Sequence, residues 1–366
     1  MSLIKQNNSK MRESGVELLR IILMLQVVFL HVCDYGGFTK NMQDIGLFPT
    51  AFFWLVFYSS RTPVYVYMLL LGYFSVSSLS SQTLSGIIPK VKKTYLPMLF
   101  YSLVIPAVVW LSGITTFDIT ELIKAFLPVL SRLWPFMTLY LVVVILSPFL
   151  NRCLNNLSKK EFAVLIGILF FIFSIWNMFG NLSPVNNVIG VDKVVNTEGG
   201  KSLYGYVFMY ILGAFVRLHV KRYDRAKLRF LAVFFGLAAV NTALIYIIPD
   251  YKDVSMFNDN PISVIQGVCL LLYFRDLKFK SRAINHIALM NLGVYMIHEH
   301  PMMRSILWNE DTGVFKFFHD SSFYTNIPVC FLAAVGVCVA VYIACSVIEQ
   351  CRRRLFEQVR TLRDKA

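Results

Sequence analysis

Apolar stretches of membrane-spanning length recur along the whole chain, separated by short polar segments that are mostly basic. A helix that crosses a bilayer needs about 20 predominantly apolar residues. By that measure ten candidate spans are visible, at 18–33, 61–79, 94–113, 133–150, 162–180, 203–220, 230–249, 262–274, 284–300 and 323–348. The eighth is short and the tenth long. A further apolar run at 47–58 is only a dozen residues and reads as an interfacial or re-entrant piece before the second span. The pattern predicts an all-α fold, a polytopic membrane helix bundle of about ten transmembrane helices. It is expected to form one integral-membrane domain over residues 1–366: an N-terminal segment 1–17, a bundle 18–348 and a basic tail 349–366. No internal repeat and no low-complexity tract interrupts it. The first apolar run ends in Val-Phe-Leu-His-Val-Cys, without the small residues of a cleavage site, and is read as a retained span.

Composition narrows the class. Of 366 residues, 57% are hydrophobic and 15% charged, against about 25% charged in soluble domains. Mean hydropathy is +0.60. No polar stretch is long enough to fold as a separate soluble domain. Seven cysteines without a recurring spacing exclude a disulfide scaffold. The net charge of +14 could suggest a nucleic-acid binder, but its distribution argues otherwise. With the N-terminus inside, 26 of the 35 basic residues and eight acidic ones fall on the inner side, leaving nine basic and thirteen acidic residues outside. The inner face is therefore +18 and the outer face −4. Cytoplasmic loops are the basic ones in membrane proteins, so both termini are expected in the cytoplasm. The lipid bilayer is the expected partner, and no nucleic acid.

The first span carries unusual groups for its depth. Glu17, Arg20, His31 and Asp34 all fall on or beside it. Eleven residues separate Arg20 from His31, which returns a helix to within about 20° of the same face. Along the axis the two lie about 16 Å apart. Ionisable groups at that depth usually face a bundle interior or a wet cavity. Blander readings exist for each residue. Arg20 and Glu17 could snorkel, and His31 could make a purely structural bond. Lys92, Lys93 and Arg217 could simply set topology at an anionic leaflet. Arg61 is an interface anchor or a pocket residue. Trp134 and Tyr140 are belt and core aromatics or part of a site. The cluster His298-Glu299-His300, with Arg304, sits at the outer end of span nine. On a continuous helix its two histidines would point about 200° apart, poorly placed to share a metal. The His-x-Glu pattern also lacks the Pro-Cys-x-x-Cys that completes a zinc deaminase signature. No metal site is expected.

Taken in order, these residues resemble the membrane acyltransferase-3 family. Arg20 and His31 match its Arg-x10-His motif. Arg61 with Leu71-Gly-Tyr-Phe74 is similar to its second span, where Leu71 replaces the usual Ser. Lys92-Lys-Thr-Tyr-Leu-Pro97 resembles the basic entry to span three. Trp134, Tyr140 and Leu146-Ser-Pro-Phe-Leu-Asn151 resemble span four, with Pro135 out of the usual order. Asp259-Asn-Pro261 and Gly293-Val-Tyr-Met-Ile-His298 resemble the approach to span eight and span nine. The resemblance implies a multi-pass O-acyltransferase of the cell membrane, the inner membrane of a bacterium. It would move an acyl group, commonly acetyl, from cytoplasmic acyl-coenzyme A to a hydroxyl of an envelope or exported carbohydrate. Acetyl-coenzyme A would be a donor substrate, with no bound cofactor. It further implies His31 as base or acyl carrier and Arg20 as its catalytic companion. Arg20, Lys92 and Lys93 would bind the donor. Arg61, Trp134, Tyr140, His298 and Glu299 would bind the carbohydrate acceptor, where acids accept from hydroxyls and aromatics stack on sugar faces. The rival reading is a carrier or flippase for an envelope sugar precursor. Carriers often show internal repeats and paired broken helices, and would not consume a thioester.

Overall fold

The computed structural model describes residues 13–42, 45–190, 198–222, 227–248 and 250–363, and among them there is no strand. In chain order the principal helices are α1 (Ser14–Asp34), α2 (Leu47–Ser59), α3 (Pro63–Ser75), α4 (Leu84–Leu111) and α5 (Pro135–Asn155). There follow α6 (Lys159–Asn181), α7 (Leu203–His219), α8 (Lys227–Ile247) and α9 (Pro261–Arg275). The chain closes with α10 (Arg282–Ala288), α11 (Asn291–His298), α12 (Pro301–Trp308) and α13 (Ile327–Arg363). Local sequence explains where several begin. Thr83 and Asn260 cap the backbone N–H groups of α4 and α9, with Pro261 in the first turn of α9. Ser158 and Glu161 form a reciprocal capping box at the start of α6.

Among the described residues, six helices are long and apolar enough to cross a bilayer: α1, α4, α5, α6, α8 and α13. They occupy six of the ten expected positions. The expected second, sixth and eighth spans are the shorter helices α3, α7 and α9, of 13, 17 and 15 residues. The expected ninth span is broken into α10 and α11 at Leu289–Met290. The run at 47–58 is the helix α2, and it is packed inward, with Phe53, Trp54, Phe57 and Tyr58 buried. Helix α13 continues without a break from the bundle through Glu349 to Arg363 of the expected basic tail.

The bundle is built around α1. Its apolar window is 56% buried, whereas those of α6 and α8 are 17% and 22% buried. Large apolar side chains on the latter two, such as Val164, Phe235 and Ile247, are exposed and suit a lipid face. α1 packs against α3, α9, α10, α11 and α13. Polar cross-ties fix it there. The Arg20 carbonyl accepts from Tyr67 Oη of α3 at 2.9 Å and from Asn291 Nδ2 of α11 at 2.7 Å. Asn291 Oδ1 in turn accepts from Tyr342 Oη of α13 at 2.7 Å. Gln26 Nε2 reaches the Ser59 carbonyl at 2.9 Å. Where helices cannot draw on a hydrophobic driving force against lipid, such bonds and close packing hold them together.

α3 and α7 are a case of that close packing. Gly72 lies against the Tyr210 carbonyl and Gly213 against the Leu69 carbonyl, so near that a Cβ at either position would overlap backbone. Gly213→Leu is therefore expected to destabilise the protein by about 1–3 kcal/mol. Gly336→Leu, at a position with open space around it, serves as the control. Thermal unfolding of both variants in detergent measures this; equal melting temperatures would refute the close-packing account.

Candidate active site

The stripe Arg20, Met24 and Val27 of α1 lines one side of a cavity of about 460 Å³. These positions fall on one helical face, and His31 is the next step on it. Tyr67, Phe136, Tyr140 and Leu292 contribute to the other walls, and Lys90, Lys93 and Arg353 supply further cations. A second, more polar chamber of about 610 Å³ shares Glu17, Arg20, Phe74 and Lys93 with the first and adds Arg217, Arg222 and Arg275. Arg20 thus stands where the two meet. Its Nη1 is 2.8 Å from Glu17 Oε1, and its guanidinium lies 5.3 Å from the centre of the Phe74 ring. The ring and the carboxylate hold the planar group without using all five of its N–H donors.

The first cavity stops at Val27 and Tyr295, one helical turn short of His31 and Glu299. His31 Nδ1 and Glu299 Oε2 face each other at 3.2 Å, off the line of an ideal N–H···O bond. Both side chains are nearly enclosed, 14% and 11% exposed. The His298 ring packs 5.1 Å from His31 on one side and the Tyr35 ring 5.2 Å on another. Glu299 Oε1 is 3.5 Å from Arg304 Nη1, which also donates to Tyr35 Oη at 2.8 Å. The Nε2 atoms of His298 and His300 are buried with no protein partner among the described residues. Buried polar atoms are almost always bonded, so this cluster has capacity for a polar ligand. Among the described residues, no three His, Cys, Asp or Glu side chains gather in a metal-holding group.

The helix through the His298-Glu299-His300 cluster is not continuous, which corrects the opposed geometry expected for its histidines. α11 ends at His298, whose Nδ1 is 2.5 Å from the Val294 carbonyl. His300 has extended backbone and begins α12, its Nδ1 accepting from the Met302 N–H at 3.2 Å. Pro301 is the cause, since the residue before a proline is pushed out of the helical region. Glu299 keeps helical backbone at the end of α11 and, one turn beyond Tyr295, faces His31 of α1.

The remaining expected residues divide between two regions. Arg61 lies near the outer cluster: its Nη1 is 3.7 Å from Asp34 Oδ2, and its Nη2 donates to the Met256 carbonyl. Asp34 is thereby engaged by Arg61, and Glu299 is the acid that meets His31. Trp134 is fully buried, donates to the Met296 carbonyl at 3.2 Å and packs 5.7 Å from the His300 ring. It braces the bend from behind and offers no open face. Tyr140 lines the Arg20 cavity, away from the outer cluster. Lys93 and Arg217 line the polar chamber, while Lys92 is exposed and turned off both cavities. Arg20 and His31 share a face but do not touch. Sequence reasoning missed Tyr35, Asn291 and Glu349. Asn291, a polar residue opening the Gly293 motif, was the one with a visible signal.

A family model described as an acyltransferase domain matches residues 13–345. That is nearly the whole chain, and it contains every residue of both cavities except Arg353. The chain therefore belongs to the acyltransferase-3 family. It is a membrane acyltransferase. No curated protein and no solved structure matches it. If the Glu299 carboxylate orients His31, Glu299→Gln will lower kcat for thioester consumption on the order of 10²-fold, the low end of what a positioned base contributes. KM for the donor should stay within about twofold. Steady-state assays on purified protein test this, and an unchanged kcat removes Glu299 from the site.

Proposed function

We propose that the protein transfers an acyl group, acetyl in the simplest case, from cytoplasmic acyl-coenzyme A to a hydroxyl of a cell-envelope or exported carbohydrate. The observation that carries this reading is the alignment on α1: a cavity that follows Arg20, Met24 and Val27 toward a His31–Glu299 pair one turn beyond its end. Basic residues gather where an anionic donor would enter, apolar walls follow, and a potential base stands at the far end.

In this reading Glu299 holds the Nδ1 side of His31, leaving the Nε2 lone pair to act as base. Nε2 takes the proton of the acceptor hydroxyl as its oxygen attacks the thioester carbonyl. The tetrahedral intermediate collapses with cleavage of the C–S bond. The leaving thiolate recovers the proton from the imidazolium, and ester and free thiol result. Enclosure of the pair excludes water, which would otherwise compete as the acceptor. His298, Glu299, His300 and Arg61 form the polar side from which the carbohydrate approaches. Trp134 supports that side without stacking on the sugar.

The same reading assigns ten crossings of the cytoplasmic membrane, with both termini inside. The short helices α3, α7 and α9 then serve as crossings shielded within the bundle, where a span need not match the full lipid thickness.

Two measurements test the proposal. Membranes carrying the protein should consume acetyl-coenzyme A, and His31→Ala should reduce this by at least about 10²-fold at equal membrane expression. Near wild-type turnover in that variant would remove His31 as the base. For topology, Cys153 and Cys351 are exposed and the other five cysteines buried. In sealed right-side-out vesicles an impermeant maleimide should label neither exposed cysteine until the vesicles are opened. Labelling of either one before opening would reverse the assigned orientation.

A further inference from the structure

The acid Glu349 lies in α13 three residues before the run Arg352–Arg354, and its side chain is only 1% exposed. Four bonds converge on it. Tyr101 Oη of α4 donates to Oε2 at 2.7 Å. Arg352 donates from Nε to Oε2 and from Nη2 to Oε1, both at 2.7 Å, and Arg353 donates from Nε to Oε1 at 2.9 Å. α11 closes over the cluster at Gly293, where any Cβ would collide with the Glu349 side chain. The two arginines are held differently. Arg352 is consumed by Glu349 and by the faces of Phe100, Tyr101 and Phe356, each 5.6–5.7 Å away. Arg353 commits only its Nε, and it lines the 460 Å³ cavity together with Arg20, Lys90 and Lys93.

A buried carboxylate with this many partners costs desolvation and gives little net stability over an apolar replacement. What it provides is geometry. α13 is about 55 Å long at 1.5 Å per residue, well beyond a hydrocarbon core of about 30 Å. An arginine near its far end would otherwise swing freely in solvent. Glu349 instead pins the Nε edge of Arg353 and leaves the two terminal amines, the planar pair that suits phosphate oxygens.

We propose that Arg353 binds a phosphate of the thioester donor at the mouth of the cavity, and that Glu349 is the residue that positions it. This rests on the acyl-coenzyme A reading above and adds a residue of α13 to the donor site. Arg20, Lys90, Lys93 and Arg353 then close a ring of cations around the entrance, drawn from α1, α4 and α13.

The test compares two donors that share the reacting thioester: acetyl-coenzyme A, and acetyl-pantetheine, which lacks the phosphates. In purified full-length protein, Arg353→Gln should raise KM for acetyl-coenzyme A at least fivefold with kcat within twofold. The preference for the phosphate-bearing donor, as the ratio of the two kcat/KM values, should fall by the same factor. Arg353→Lys, which keeps the charge, should recover part of it. Glu349→Gln should reproduce the KM effect; a merely structural role for Glu349 would depress turnover of both donors equally. Because Arg353 is partly exposed, its variant is expected to fold even where Glu349→Gln does not. Calorimetric binding of coenzyme A to His31→Ala protein, with and without Arg353→Gln, reads the site without turnover. Affinity unchanged by Arg353→Gln overturns the proposal. Coenzyme A binding that depends on Arg353, with no thioester consumption by the wild type, would instead refute the acyl-transfer reading alone.

Discussion

The bond pair on the Arg20 carbonyl is the constraint from which the rest of the site follows. A helix with an arginine and a histidine on one face cannot simply lie in lipid, because each polar group must find its partners inside the protein. Tyr67 and Asn291 both bond that carbonyl, and Tyr342 bonds Asn291, so α1, α3, α11 and α13 are fixed to one another at a single level. With that level set, Met24 and Val27, though buried in the core, border the cavity on their α1 face. One further turn brings His31 level with Glu299 at the end of α11. The cavity and the His–Glu pair are consequences of one register.

Charge is arranged along the same axis. At the Arg20 end, Lys93, Arg217, Arg222 and Arg275 line a chamber that holds only two acids, Glu13 and Glu17. Arg275 is itself immobilised, bonded to Asp276 at 2.8 Å and to the Val220 and Lys221 carbonyls. Fixed cations that need not reorganise on binding are effective anion sites. At the His31 end, Arg61 is near Asp34 and Arg304 near Glu299. At the Arg20 end the cations Arg20, Lys93, Arg217, Arg222 and Arg275 outnumber the acids Glu13, Glu17 and Asp276, which in the proposed function suits an anionic donor there.

Much of this was legible in the sequence, for identifiable reasons. Long apolar runs mark α1, α4, α5, α6, α8 and α13 because lipid leaves a helix few alternatives. The eleven-residue interval correctly placed Arg20 and His31 on one face, since periodicity is a local property. The interruption of the ninth span was hidden because apolarity alone does not register the backbone turn at Leu289–Met290 or the effect of Pro301. Trp134 and Tyr140 were grouped together by motif, yet one braces the His300 bend and the other lines the Arg20 cavity. Their spacing carries no information about which neighbouring helix each will meet. Glu349 was counted only as one of the inner acids. Its partners Tyr101 and Gly293 are remote in sequence, and only the packing of α4 and α11 against α13 brings them to it.

A chain of aromatic contacts runs from the cavity wall toward the His31–Glu299 pair. Phe136 packs 5.8 Å from Tyr295 and 6.1 Å from Tyr140, and Tyr295 lies 6.1 Å from His298. The Phe136, Tyr140 and Tyr295 rings all line the Arg20 cavity, and Tyr295 carries the contact on to His298, which packs against His31. Aromatic rings can be displaced by rotation about two side-chain bonds without disturbing the helices that carry them. In the proposed function, displacement of the Tyr295 ring would be the step that opens the imidazole to a slender acyl chain. In that reading the acyl chain would take this route while the donor's charged part stays among the cations around Arg20.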